Sequence, residues 1–437
     1  MKIYGFSSRN LVGLIRNLLP VAYGIFSQFA GLAAYLYCIH FLVDTTSSDF
    51  LAHYFIINSV AVFVAQIATA GIDGKLYYNS MTGEMGRQNF KANGLAYLPL
   101  AVSFSLIFIL FSHYIFPFEV SLQVFLYLLT TILLQPLLAN LIAFSLAEKR
   151  FYLSNFLVVA PWGIRALILL CLSFLSLTSQ LASKPEFIYV VFSLSTVLSL
   201  VIGLVYCSRR YQYVLPRLTQ FLCLILPAHS AASRLNSVYL IANISSLIPY
   251  AIAPYVLLVL TSDTRSVSVL GTFLSLLSVF VTSVRVYNTR FALPSLFVFA
   301  QTRQMRRIPG LIIAYSFPVY LIYTILFILA FLPLRSIVLD FLGPIGDSVF
   351  NLYPYFVGLV FLSIFSVPAN SLLSGGRFLL PWVSVKLISC VIVLLALFAL
   401  VPGTGLSGSL HALMLFAIVE ALGYIKIFAR CSGVSNL

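Results

Sequence analysis

Short gaps holding most of the charge cut this sequence into twelve apolar stretches, each about 20 residues or longer. A stretch of that length crosses the roughly 30 Å hydrocarbon core of a bilayer as an α-helix. Inside lipid every backbone N–H and C=O must be satisfied by the chain itself, which leaves helices or a closed barrel. The stretches do not alternate in the ten-residue rhythm of barrel strands, so the expectation is helical. Composition agrees. Hydrophobic residues make up 61% of the 437 residues and charged residues 8%, against roughly 25% charged in a soluble protein. Mean hydropathy is +1.05. So few charges cannot cover a water-soluble surface, and intrinsic disorder requires the opposite balance. The predicted class is an all-α polytopic membrane protein.

The expected spans are Leu18–Val43, Phe50–Ile72, Gly94–Phe116, Val120–Ala147, Phe151–Leu177 and Phe187–Cys207, then Leu235–Thr261, Val267–Val286, Gly310–Leu334, Val349–Leu373, Pro381–Val401 and Leu410–Phe428. The first is too long for a signal-peptide core and lacks a cleavage site, so it reads as a retained helix. A further apolar stretch, residues 291–300, is too short to span and is expected at the interface.

There are 25 Lys and Arg against 11 Asp and Glu, a net charge of +14. In a soluble chain this would point to nucleic acid. Here the basic residues sit between apolar runs and report topology instead. With the N-terminus inside, only Lys184, Arg265 and Arg335 fall in outer loops, and Arg165 lies within a helix; all other Lys and Arg fall on the inner side. That asymmetry puts both termini in the cytoplasm, and no nucleic-acid partner is expected. The six cysteines are scattered without a CxxC pair and the five histidines lack ligand spacing, so no metal site is expected.

The largest inner loop divides the chain. Residues 1–207 read as an N-terminal six-helix lobe, 208–234 as a basic cytoplasmic linker with Pro216 and Pro227, and 235–437 as a C-terminal six-helix lobe. The halves share a faint repeat. Ala139-Asn140 and Ala369-Asn370 precede the inner turns after the fourth and tenth helices. Leu146, Arg150, Phe151 and Leu153 reappear as Leu373, Arg377, Phe378 and Leu380. Pro161-Trp162 and Pro381-Trp382 follow. Parallel six-helix repeats with both termini inside are pseudo-symmetric, and in transporters they place the substrate between the halves.

The C-terminal third carries a family resemblance. Asn370-Ser371-Leu372-Leu373-Ser374-Gly375-Gly376-Arg377 resembles the Leu-x-x-x-Gly-Arg turn of polysaccharide flippases. Leu400-Val401-Pro402-Gly403-Thr404-Gly405-Leu406-Ser407-Gly408-Ser409-Leu410 resembles their Ile-Pro-x-x-Gly-x-x-Gly-Ala passage between helices eleven and twelve. The family is the O-antigen (Wzx-type) exporters of the multidrug/oligosaccharidyl-lipid/polysaccharide superfamily. The specific resemblance covers about 60 residues, Asn370 to Ile427, while length, span count and inner termini agree over the whole chain. The glycines have their own reading: a tight outer turn and close packing where helix twelve begins.

The resemblance implies translocation of an undecaprenyl-diphosphate-linked oligosaccharide across the bacterial inner membrane by alternating access. It implies no cofactor, with coupling to an H+ or Na+ gradient as an option. The implied partners are the lipid-linked cargo, membrane lipids and a polysaccharide polymerase with its chain-length regulator. The absence of a GxxxxGK[ST] loop fits transport without ATP.

Such cargo needs a cation in the membrane. Arg165 lies about 20 Å into helix five at 1.5 Å per residue, with no acidic residue within two turns. It should face a cavity, where it suits phosphate, pair with a distant carboxylate such as Glu420, or snorkel to the surface. Arg285, near the inner end of helix eight, could meet the diphosphate or simply anchor the helix. Glu420 is the one acidic residue deep in a span, a candidate coupling group or the ion-pair partner of Arg165 or of Lys426, about a turn and a half away. Lys386 can snorkel to the inner surface. Gln66, Asn140 and Asn370 could line a glycan path or form interhelical hydrogen bonds.

Three competitors remain. A multidrug or small-solute antiporter of the same superfamily shares the fold but usually needs several buried carboxylates. A polytopic O-antigen polymerase or glycosyltransferase usually needs a substantial outer loop, which this chain lacks. A major-facilitator transporter needs a Gly-x-x-x-Asp-Arg-x-Gly-Arg loop, poorly matched by residues Gly71 to Tyr78.

Overall fold

The structure is a computed structural model that describes residues 33–68, 98–116, 118–147, 150–175, 184–208, 231–290, 310–314, 335–373 and 378–431, with scattered positions in 23–31 and at 321 and 325. Its elements are α1 (Ser48–Ala68), α2 (Leu98–Ile115), α3 (Leu122–Ala147), α4 (Phe151–Phe174), α5 (Phe187–Ser208), α6 (Ala231–Thr261), α7 (Thr264–Arg290), α8 (Arg335–Leu342), α9 (Gly346–Asn351), α10 (Tyr353–Leu373), α11 (Leu379–Thr404) and α12 (Leu406–Cys431). Residues 33–45 are helical as well, and no strand occurs among the described residues. Eight of these helices are long and apolar enough to cross a membrane. The expected interfacial stretch 291–300, the linker residues 209–230 and the Gly-Gly-Arg turn at 374–377 lie outside the described residues.

Where they are described, the helices follow the predicted spans closely, with differences at their ends; most of the ninth span, Gly310–Leu334, and the start of the first, Leu18–Val43, lie outside the described residues. The seventh span begins at Ala231 rather than Leu235, because a helix continues past the hydrocarbon edge when its backbone bonds can be completed in water. The outer segment expected as a loop from Arg335 to Ser348 is instead two short helices joined by a 3-10 turn, Gly343–Ile345.

Outer helix starts carry side-chain caps. The Ser47 hydroxyl accepts the Phe50 N–H at 3.2 Å, and Ser121 accepts that of Val124 at 3.4 Å. Asp263 accepts the Ser266 N–H at 3.1 Å, and its own carbonyl accepts the Val267 N–H. Each cap satisfies a donor that the first helical turn leaves free. At the other hairpin, Gly405 takes a positive φ of 56° between α11 and α12, a conformation that costs glycine nothing. A Cβ on Gly408 would stand 2.8 Å from the Leu400 carbonyl, so the close packing expected of the glycine-rich passage is real there, while Gly403 faces open space.

Packing falls into two groups. The helices α3, α4 and α5 pack on one another, with α1 on α3; α11 packs on both α6 and α12, and α10 on α7 and α12. The groups meet where α1 crosses α6 and α7. At that crossing Thr264 donates to Asp49 at 2.6 Å and Ser268 to the Ser48 carbonyl at 2.7 Å. One turn deeper, a Cβ on Gly271 would lie 2.2 Å from the Phe55 ring. His40 meets the Phe341 carbonyl at 2.5 Å and stacks on its ring, tying 33–45 to α8. These contacts close the end that the charge distribution assigns to the outside. The outward faces are apolar: Leu110, Phe174 and Leu380 are 73%, 81% and 70% exposed, as a lipid-facing surface requires.

Candidate functional site: a cavity between the two helix groups

Beneath that closed end lies a cavity of about 650 Å³, walled by α1, α3, α4 and α5 on one side and by α6, α7, α10, α11 and α12 on the other. It starts at Phe55 and Gly271 and runs inward past Val62 and Val281. Such a volume suits a headgroup-sized ligand. Its wall is largely apolar, with polar points at Asn58, Thr131, Gln135, Ser246, Ser366 and Asn370. Pro161 and Pro254 both face it. A proline leaves the helix ladder incomplete, which is tolerated in a membrane where the backbone borders a cavity.

Arg165 of α4 stands in this wall, 7% exposed. Its Nε donates to Ser195 at 2.9 Å and its Nη2 to Thr196 at 3.3 Å, both on α5. Those two hydroxyls donate in turn to the Phe192 carbonyl at 2.7 and 3.0 Å, which turns their lone pairs toward the guanidinium. The Trp162 and Phe192 rings lie 4.4 and 4.6 Å from its central carbon. Cation–π contact and hydroxyl acceptors orient the charge without neutralising it. No carboxylate among the described residues pairs with Arg165, so the alternative partner Glu420 is not its counter-ion.

Glu420 is buried in α12 and pairs with Lys386 of α11. Sequence reasoning sent Lys386 to the inner surface. The structure corrects this: Lys386 is 5% exposed and lines the cavity, because a buried carboxylate on the adjacent helix holds it. A signal existed. Gly405 makes α11 and α12 a hairpin, with Lys386 nineteen residues before it and Glu420 fifteen after. That difference is about 6 Å along the axis, within reach of a lysine side chain.

The pair belongs to a larger network. The Tyr424 hydroxyl lies 2.9 Å from Glu420 Oε1 and 3.2 Å from Asn370 Oδ1. Trp382 Nε1 donates to the same Asn370 oxygen at 2.7 Å. Asn370, a glycan-path candidate, therefore binds its own helix group while bordering the cavity. Gln66 is half-buried near the end of α1. Asn140 and Arg285 belong to α3 and α7, but their side chains lie outside the described residues. Ala139, beside Asn140, lines the cavity. No group of three His, Cys, Asp or Glu is placed to hold a metal among the described residues.

Among the described residues the fold is all-helical, with a cavity between two helix groups. In this it is similar to the fold of solved multidrug resistance MATE transporters of the MOP superfamily. An outward-facing and an inward-facing structure of such a transporter each align with a TM-score of 0.60 at 14% identity. The outward-facing one covers 96% of both chains, and the inward-facing one 92% of this chain and 96% of that one. A MOP superfamily transporter from Pyrococcus furiosus, whose binding pocket is described as having reverse polarity, aligns with a TM-score of 0.57 at 11% identity over 97% of this chain and 96% of its own. No protein-family model matches the sequence. No curated protein matches it either.

Proposed function

We propose that this chain is a flippase for an undecaprenyl-diphosphate-linked oligosaccharide, an O-antigen or similar repeat unit, in the bacterial inner membrane. It works by alternating access between two six-helix lobes, 1–207 and 235–437, joined by the linker 208–234. The observation that carries the reading is the charge of the cavity wall. Among the described residues its ionisable cations and acids are Arg165, Lys386 and Glu420, a net positive set with one cation free of any carboxylate. A buried arginine in a low-dielectric wall strongly favours an anion, and its planar fork suits phosphate oxygens. The polar points along the wall offer hydrogen bonds to sugar. The undecaprenyl tail is far too large for the cavity and stays in the bilayer. A polysaccharide polymerase and its chain-length regulator complete the set of partners, and Glu420 couples transport to an H+ or Na+ gradient.

The multidrug reading draws support from the fold neighbours. The ion pair argues against cationic drugs, because the one described carboxylate in the wall already has a counter-ion. The test is deletion of the gene in its host, followed by analysis of surface glycan and the lipid-linked pool. Loss of surface polymer with complete repeat units held on the cytoplasmic face supports the flippase. Unpolymerised units on the outer face indicate a polymerase. Unchanged glycan with altered drug tolerance indicates the antiporter.

A further inference from the structure

The two short outer helices α8 and α9 form one stiff piece. Arg335, at the start of α8, places its guanidinium carbon 4.6 Å from the centre of the Phe350 ring of α9. A Cβ on Gly346 would stand 2.9 Å from the Leu339 carbonyl, so the two helices meet backbone to backbone. The turn between them has Gly343 at a positive φ of 55° and carries Pro344. Leu342, Ile345 and Val349 are buried beneath it. The chain runs from this piece into α10, and α9 packs on α7, so the piece belongs to the second helix group.

Its outer contact is with the first group. The helical stretch 33–45 packs on α4 through Tyr35, whose ring stands edge-on to Trp162 with centres 4.5 Å apart. One turn further out, the His40 ring stacks on Phe341 of α8, centres 4.4 Å apart and planes 21° apart. His40 Nδ1 lies 2.5 Å from the Phe341 carbonyl. A carbonyl only accepts, so Nδ1 carries the proton and donates. Val43, three residues on and therefore on the same helix face, has its Cγ1 3.3 Å from the place of a Cβ on Gly343. The Phe341 carbonyl lies in the last turn of α8, where a helix leaves its carbonyls without an internal partner. At the outer surface water can replace His40 as the donor, so the bond is stabilising yet cheap to open.

We infer that α8–α9 is a strap of the second helix group that latches the outer end of the cavity shut by docking on His40 and Val43 of the first, and that this docking is released each time the cavity opens outward. The two groups cannot part at the outer end while the strap bridges them, so the latch sets how often the cavity faces outside. The inference rests on the alternating-access part of the reading above and is independent of the cargo.

The test uses the full-length protein in right-side-out membrane vesicles, with Val62→Cys in the cavity wall as reporter. Labelling by a membrane-impermeant thiol reagent added outside, counted against the same protein without Val62→Cys, reads outward opening. His40 and Phe341 lie outside the cavity wall, so changing them leaves the reporter's surroundings intact. His40→Ala should raise the labelling rate about twofold to tenfold, the range for one lost hydrogen bond. His40→Gln keeps an N–H donor and should fall between. Phe341→His sets two imidazoles in the stacked place, where external zinc should bridge them. Zinc should then slow labelling in Phe341→His, a chelator should restore it, and neither should affect the wild-type strap. Labelling unchanged both in His40→Ala and in zinc-treated Phe341→His overturns the latch and leaves alternating access standing. No outside labelling in any variant, while a membrane-permeant reagent still reacts with Val62→Cys, overturns both.

Discussion

Lys386 of α11 and Glu420 of α12 form a buried ion pair in the wall of the central cavity, although each lies deep within an apolar helix. Removing one partner of a buried pair strands the other, which costs about 3–5 kcal/mol, whereas replacing both by neutral groups is close to neutral. Lys386→Met should therefore lower the unfolding temperature in detergent markedly, and Lys386→Met/Glu420→Gln should restore most of the loss. A double variant as unstable as the single one would mean that the pair is not what holds Lys386 in place.

Arg165→Ala should insert and fold yet fail to export glycan. Its hydrogen bonds go to two α5 hydroxyls that are also bonded to the Phe192 carbonyl, so the helix packing outlasts its loss. Arg165→Lys should restore only part of the function, since an ammonium lacks the planar fork. The readout is surface polymer in the host at matched membrane expression. Normal export by Arg165→Ala would remove it from the cargo site.

Glu420→Gln keeps the side chain's shape but leaves the buried Lys386 ammonium without its counter-ion, so it is compared with Lys386→Met/Glu420→Gln, which strands neither charge. In proteoliposomes with imposed gradients both should lose dependence on the proton gradient. A variant that still follows the gradient as the wild type does would take Glu420 out of the coupling.

The contact between Gly271 and Phe55 leaves no room for a side chain. Gly271→Leu should force α7 away from α1 and destabilise the closed outer end by about 1–3 kcal/mol, the usual cost of overpacking. Phe55→Ala added to it should recover part of that loss. Thermal unfolding of the two variants decides the matter: additive losses would show that the residues do not meet.

Asp263 lies in the short turn before α7 and caps that helix. The Ser266 hydroxyl, donating at 2.5 Å, holds its carboxyl below the usual carboxylate range, and backbone donors add to this. A carboxyl depressed in the folded state stabilises the fold above its unfolded pKa, and that contribution disappears as pH falls through the folded value. Asp263→Ala should cost about 1 kcal/mol near neutral pH, as lost caps generally do. The two unfolding curves should converge in acid. A gap that persists in acid would assign the loss to packing rather than to the charged cap.

Much of this fold is written in linear pattern. Span length and hydropathy place the long described helices within a few residues, since a bilayer imposes one length scale on every crossing, whereas the short helices α8 and α9 were expected as a loop. Gly405 marks its hairpin because a positive φ is a local demand. The site was legible where burial alone singles a residue out. Arg165 and Glu420 were picked because a charge in an apolar span is expensive and has to face a cavity or a partner.

Partnership is where linear pattern stops. Lys386 resembles an ordinary snorkelling lysine, and its pairing with Glu420 depends on two helices meeting at one depth across a turn. Asn370 was grouped with Gln66 and Asn140 as a polar point, and only its distances to Trp382 and Tyr424 set it within the network around Glu420. The sequence by itself determined that the chain is a membrane-embedded helical protein and that Arg165 and Glu420 are buried charges, because those follow from the cost of exposing polar groups to lipid. The tertiary structure alone decided which charges neutralise one another and which stays free in the cavity, because an ion pair is set by separation in space and not by separation along the chain.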